Sequence, residues 1–165
     1  MIQSVNPAPT DETDGLPMPR RIWAVISVGF ALCMSVLDVN IINIVLPTLS
    51  HDFGTSPAVT TWIINGYQLA IVVSLLSFSA LGEIIGYRKV YLSGIGLFCI
   101  TSLICALSDS FWTLTIARIF QGFSASAITS VNTAQLRYIY PKSQLGRGMG
   151  INAMVVAISA AAGPS

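Results

Sequence analysis

RRIWAVISVGFALCMSVLDVNIINIVLPT, running from Arg20 to Thr48, is the stretch on which the fold turns. Two arginines lead into it, and Asp38 is the only charged residue between Ile22 and Thr48. At about 1.5 Å of rise per helical residue, roughly 20 apolar residues cross a hydrocarbon core of about 30 Å, so this run is long enough to span one. A lone spanning segment must be helical, because each backbone group left unpaired in lipid costs several kcal/mol. The run reads as a transmembrane helix that carries a carboxyl group at membrane depth.

Further apolar runs follow: Val59 to Leu81, Val90 to Leu107, Phe111 to Leu136, and Gly148 to Ser165. Pro47, Pro57 and Pro141 mark where helices stop or begin. Hydrophobic residues make up 53% of the 165 residues and charged ones 9%, and mean hydropathy is +0.73. Soluble domains are about 25% charged. The expected fold is therefore an all-α integral membrane bundle of spans at about 22–48, 59–81, 90–107, 111–136 and 148–165. The segment 1–21, with Asp11, Glu12, Asp14 and four prolines, is expected to be a disordered cytoplasmic tail. It lacks the charge pattern of a signal peptide.

The basic residues supply the orientation. Arg20 and Arg21 precede the first run, Arg88 and Lys89 follow the second, and Arg137, Lys142 and Arg147 follow the fourth. The gaps around His51-Asp52-Phe53 and Ser108-Asp109-Ser110 hold no Lys or Arg. This alternation obeys the positive-inside rule with the amino terminus in the cytoplasm. A net charge of +1 spread over short loops gives no nucleic-acid footprint. Cys33, Cys99 and Cys105 fall inside apolar runs and suggest neither a disulfide framework nor a metal site. No cofactor is expected.

Polar residues inside the spans reveal which faces are covered. In the fourth run, Arg118, Gln121, Gly122, Ala125, Ser126, Thr129 and Thr133 recur at steps of three and four, a stripe that must face protein or water. On the first run, Asp38 and Ser35 share one side while Asn40 and Asn43 lie nearly opposite, so that helix is expected to be surrounded by protein. The third run carries no charge within Tyr91 to Leu107 and is expected to be a lipid-facing wall.

Asp38 and Arg118 are the leading functional candidates. An ionisable residue at helix centre costs about 2.5–3.5 kcal/mol to insert, so it faces a cavity or a partner. A carboxyl in a cavity can exchange a proton as its surroundings change, or it can be a structural group bonded to a neighbouring helix. Arginine keeps its proton, so Arg118 acts electrostatically on a carboxylate, a carbonyl or a substrate group, or else fixes packing. Counted from the outer helix ends, Arg118 lies about 10 Å deep and Asp38 about 18 Å, which permits a direct pair without demanding one. In the loop Ser79 to Lys89, Gly86 allows a tight turn, Glu83 sits at a helix end, and Arg88 with Lys89 anchors the basic face. Small residues from Ser159 to Gly163 permit close helix contact, and Pro164 removes a backbone hydrogen bond.

Taken in order, these pieces resemble the major facilitator superfamily, and within it the drug/proton antiporters with fourteen spans. Leu37-Asp38-Val39-Asn40-Ile41-Ile42-Asn43-Ile44-Val45-Leu46-Pro47 is similar to that group's first-helix pattern Leu-Asp-x-Thr-x-x-Asn-x-Ala-Leu-Pro, with Asn40 for Thr and Val45 for Ala. Ser79 to Lys89 resembles the Gly-x-x-x-Asp-x-x-Gly-x-Arg-Lys loop, with Ser79 for Gly and Glu83 for Asp. Arg118-Ile119-Phe120-Gln121-Gly122 is similar to the Arg-x-x-Gln-Gly element of helix four. Ser159 to Pro164 resembles the antiporter motif of helix five, with Ser159 where Gly is usual.

The resemblance implies a partial major facilitator fold, the first five transmembrane helices of a proton-coupled multidrug exporter in the inner membrane. It assigns proton and substrate coupling to Asp38, Arg118, Gln121 and Asn43. Gating falls to Ser79, Glu83, Gly86, Arg88 and Lys89, and Ser159, Gly163 and Pro164 form the antiporter motif. The implied partners are protons, a small lipophilic or cationic substrate, the bilayer and the missing remainder of the transporter. Five helices do not complete a six-helix bundle, so the chain alone is expected not to transport. The alternatives are a carrier for a different small solute, a small membrane interaction protein, or an inert truncated product. A reporter active only outside the cytoplasm is expected to work when fused after Asp109 and to be silent after Arg88; the reverse pattern overturns the topology.

Overall fold

The computed structural model describes residues 15–162. Its helices are α1 (Met18–Asp52), α2 (Pro57–Thr60), α3 (Trp62–Ile85), α4 (Tyr87–Ala106), α5 (Phe111–Ile139) and α6 (Leu145–Ala162), with a short 3-10 turn at Lys142–Gln144 before α6. No strand occurs among the described residues. Three segments there are long and apolar enough to cross a membrane by composition alone: α1, the α2–α3 unit and α4. The polar stripe of α5 makes it less apolar, and α5 is the helix with the most buried residues.

Local chemistry accounts for the boundaries. Ser56 accepts the Val59 amide at 3.4 Å and Pro57 occupies the first turn of α2. Ser110 accepts the Thr113 amide at 3.3 Å and starts α5. Between α3 and α4 only Gly86 intervenes, at φ 98°, a conformation that side-chain-bearing residues avoid. That single residue reverses the chain and makes the two helices antiparallel neighbours.

Three expectations are revised. The disorder assigned to 1–21 does not hold at its end, because α1 already begins at Met18. Leu16 donates its amide to the Ile139 carbonyl at 3.2 Å, and the Arg21 Nε donates to the Leu16 carbonyl at 3.0 Å, so the entry to α1 is tied down. Residues 1–14 lie outside the described residues. Pro47 does not stop the first helix; α1 continues through it to Asp52 and unwinds at Phe53 and Gly54, where amides turn back to Leu49 and His51. A proline near the end of a span forfeits one bond at a depth where water is close, so the helix can survive it. Finally, the described residues do not enclose α1: Trp23, Ile26, Phe30, Ile41 and Ile44 are exposed.

α5 is the centre of the bundle, packed most extensively on α3 and α4, while α1 lies against α6 and α5. Gly122 sets the closest approach. A Cβ there would sit 2.5 Å from the Tyr67 carbonyl oxygen and 2.9 Å from the Ala70 Cβ, so α3 and α5 touch through backbone. α4 divides its surface: Val90, Tyr91, Gly94, Phe98 and Thr101 are buried, whereas Leu92, Ile100, Leu103 and Ile104 are exposed. The wall expected of this helix is therefore one face of it. Gly122→Leu is expected to destabilise the bundle by about 1–3 kcal/mol in mixed-micelle unfolding. Gly96→Ala, where an added methyl group meets nothing within 4 Å, should not destabilise it and should gain up to about 1 kcal/mol, because a glycine inside a helix loses more conformational freedom than an alanine.

Candidate coupling site

Asp38 on α1 and Arg118 on α5 form a direct ion pair, Arg118 Nη1 donating to Asp38 Oδ2 at 2.7 Å. One turn along α5, Gln121 completes the arrangement. Its Nε2 donates to Asp38 Oδ1 at 3.1 Å, and its Oε1 accepts from Arg118 Nη1 at 2.8 Å. Residues three apart share a helix face, so α5 presents both groups to one carboxylate. The side chain of Arg118 is 3% exposed and that of Asp38 19%, while Gln121 is 1% exposed. A charge pair so enclosed is held by geometry: removing one partner leaves an uncompensated charge, which costs about 3–5 kcal/mol.

Two residues that sequence reasoning missed complete the surroundings. The Arg118 guanidinium lies over the Tyr67 ring, 4.6 Å from its centroid, and Tyr67 is 2% exposed. Such stacking is worth about 0.5–2 kcal/mol. Tyr67 reaches Arg118 because Gly122 allows the close approach of α3 to α5. The signal available was Asn65-Gly66-Tyr67-Gln68, a polar interruption of the second apolar run. Cys105, read from sequence as a small core residue, donates its thiol to Gln121 Oε1 at 3.4 Å. No pattern in the sequence linked it to Gln121, because α4 meets α5 only in the tertiary structure.

The site has spare donor capacity. Arg118 engages Asp38 end-on through one nitrogen, and its Nε and Nη2 are buried without a hydrogen-bond partner among the described residues. An acceptor group entering the site would find the other edge of the guanidinium available.

Other sequence candidates lie elsewhere. Asn43 is exposed and bonds back to the Val39 carbonyl at 3.0 Å. Five residues at about 100° each carry it roughly 140° around α1 from Asp38, so it does not join the cluster. Ser79 is half-buried on α3. Glu83, Arg88 and Lys89 are exposed around Gly86 and form no ion pair among the described residues. Ser159 is buried on α6 and donates to the Val155 carbonyl at 2.7 Å. Gly163 and Pro164 lie outside the described residues.

Residues 28–165 match the sequence model of the family described as Major Facilitator Superfamily. The uncharacterized transporter YebQ of Escherichia coli strain K12 is 52% identical over 157 residues, covering 95% of this chain and 34% of that protein. The riboflavin transporter RibZ of Clostridioides difficile strain 630 is 32% identical, covering 88% of this chain and 32% of its own length. The tetracenomycin C resistance and export protein of Streptomyces glaucescens is 33% identical, covering 96% and 30%. The chain spans about a third of the length of these relatives.

The ion pair makes a stability prediction. Arg118→Met alone should cost about 3–5 kcal/mol in mixed-micelle unfolding, whereas Asp38→Leu combined with Arg118→Met should recover most of that loss. Additive losses in the double variant would remove the pairing from the account.

Proposed function

Because the chain belongs to the major facilitator superfamily, a family of transporters, we propose that it carries the coupling site of a proton-driven multidrug exporter of the inner membrane, with its amino terminus in the cytoplasm. The observation that carries this reading is the buried contact of Asp38 with Arg118 and Gln121. The carboxylate is the group in the cluster that takes up and releases a proton, while Arg118 keeps its charge throughout. With Asp38 ionised, α1 is held to α5 by the 2.7 Å pair and the Gln121 amide. On protonation Asp38 loses its charge attraction for Arg118, the guanidinium is freed to meet another acceptor, and the two helices can shift. Proton uptake is thereby converted into a change in helix contact.

Gating is assigned to the loop between α3 and α4. Ser79 and Gly86 shape it, and the exposed Glu83, Arg88 and Lys89 are available to pair across a moving interface. Resistance to proton leak is assigned to the motif of Ser159, Gly163 and Pro164, and Asn43 contributes to the substrate path from the far side of α1. Alternating access needs one bundle rocking against another, so the cycle is proposed for a carrier of the relatives' length, with the remainder of that carrier as this chain's partner. A lipophilic or cationic drug as substrate draws support from the export protein of Streptomyces glaucescens. A second reading, a carrier for a different small solute, draws on the riboflavin transporter of Clostridioides difficile.

Transport driven by an imposed proton gradient, measured in everted vesicles from cells expressing the complete carrier, tests the proposal. Asp38→Asn should abolish gradient-driven transport with insertion unchanged, since Asn keeps size and hydrogen bonding but has no proton to exchange. Arg118→Lys should lower it about tenfold or more, the equivalent of about 1.4 kcal/mol. Undiminished uphill transport by Asp38→Asn would make the carboxylate structural.

A further inference from the structure

A cavity of about 880 Å³ opens at the end of the bundle where α1 and α4 begin and α5 finishes, far along α5 from Arg118. Arg20 enters it from α1, Arg88 from α4 and Gln135 from α5. Arg20 and Arg88 form no ion pair among the described residues, and the Gln135 Nε2 is buried there without a partner. No acidic side chain lines the cavity among the described residues. Its neighbour Arg21 is differently engaged, holding the Leu16 carbonyl and Gln144 Oε1 at 3.0 and 3.2 Å, so Arg20 is the arginine left for the cavity. α4 also opens here without a side-chain cap, its positive end adding to the charge.

The remaining walls are apolar and aromatic. By position along their helices, Val28 and Leu92 line the end nearer the middle of the bundle, and Tyr87 and Tyr138 the end nearer the helix termini. The inner end is bridged by Tyr91, whose hydroxyl donates to the Ser27 carbonyl at 3.1 Å and joins α4 to α1. Arg20 and Val28 are eight residues apart on one helix, about 12 Å along its axis. The cavity therefore runs from the level where tyrosine and arginine meet the membrane interface to the depth of acyl chains. A free phosphate would use only its mouth.

We propose that this cavity binds an anionic phospholipid, its phosphate between Arg20 and Arg88 with Gln135 as a further donor, and its glycerol and upper acyl chain along Val28 and Leu92. The site is independent of the coupling cluster and of the transport direction. Its occupant joins the amino-terminal ends of α1 and α4 to the end of α5, the region where Gly86 reverses the chain. A lipid there bridges three helices by charge at one end and by apolar contact at the other.

Native mass spectrometry of the 165-residue chain, released from micelles holding phosphatidylglycerol or phosphatidylcholine of identical acyl chains, tests this. Phosphatidylglycerol should be retained about thirtyfold better, given roughly 1 kcal/mol for each of the two arginines at a membrane surface. Arg20→Gln with Arg88→Gln should reduce retention to the phosphatidylcholine level. Arg137→Gln with Arg147→Gln, which removes the same charge from residues outside the cavity, should change it by less than about twofold. Ala24→Phe, which narrows the cavity and keeps both arginines, should also lower retention. Equal retention of the two lipids by the unaltered chain overturns the proposal. So does an equal loss in the control pair, undiminished retention by Ala24→Phe, or complete displacement of the lipid by inorganic phosphate.

Discussion

The polar groups on α5 are driven to partners inside the protein, because the hydrocarbon around the bundle offers none. That constraint arranges the rest. Ser124 donates to the Gln121 carbonyl at 2.6 Å, Ser126 to the Ile71 carbonyl of α3 at 3.3 Å, and Thr129 to the Ala125 carbonyl at 2.9 Å. The first and third of these bonds stay within α5, whereas the Ser126 bond crosses to α3, where Gly122 lets the two backbones approach closely. α5 is thus the least apolar of the long helices and the most deeply placed, with α3, α4 and α1 supplying the apolar cover.

Within this arrangement the ion pair is the most demanding member. Neither Asp38 nor Arg118 could sit at such depth alone, and each is accommodated by the other, by Gln121 and by the Tyr67 ring. Gln121 has a distinctive position, since its amide is bonded to both charges at once and also receives the Cys105 thiol. A change in charge on Asp38 is therefore felt by α1, α4 and α5 together. The interaction that stabilises the bundle is also the one whose charge a proton can alter, which is what a coupling device requires.

The two ends of the molecule use basic residues differently. At the Asp38 cluster Arg118 is enclosed and neutralised by a carboxylate; at the opposite end Arg20 and Arg88 face a cavity with no acid on its walls among the described residues. An arginine paired by protein holds helices to each other, whereas an unpaired one at an interface holds the bundle to its surroundings. The Arg21 bonds to Leu16 and Gln144 show a third use, fastening the start of α1 to the turn before α6.

Membrane insertion, the helical class and the identity of the two intramembrane charges could all be read along the chain. These rest on local quantities: run length, composition, and the cost of a charge in hydrocarbon. The stripe on α5 was equally legible, since helical periodicity alone puts Arg118, Gln121 and Gly122 on one face. What lies against that stripe was not. Depth counting left the Asp38 contact open, Cys105 looked like filler, and Tyr67 drew no notice, because their partners are 16 to 83 residues away in the chain. Pro47 misled for a related reason: a local rule about prolines says nothing of where along a span the lost bond falls. The sequence alone thus determined that charges lie within the membrane and which helices bear them. Only the tertiary structure decided that they neutralise each other, because pairing depends on how closely α1, α3 and α4 approach α5.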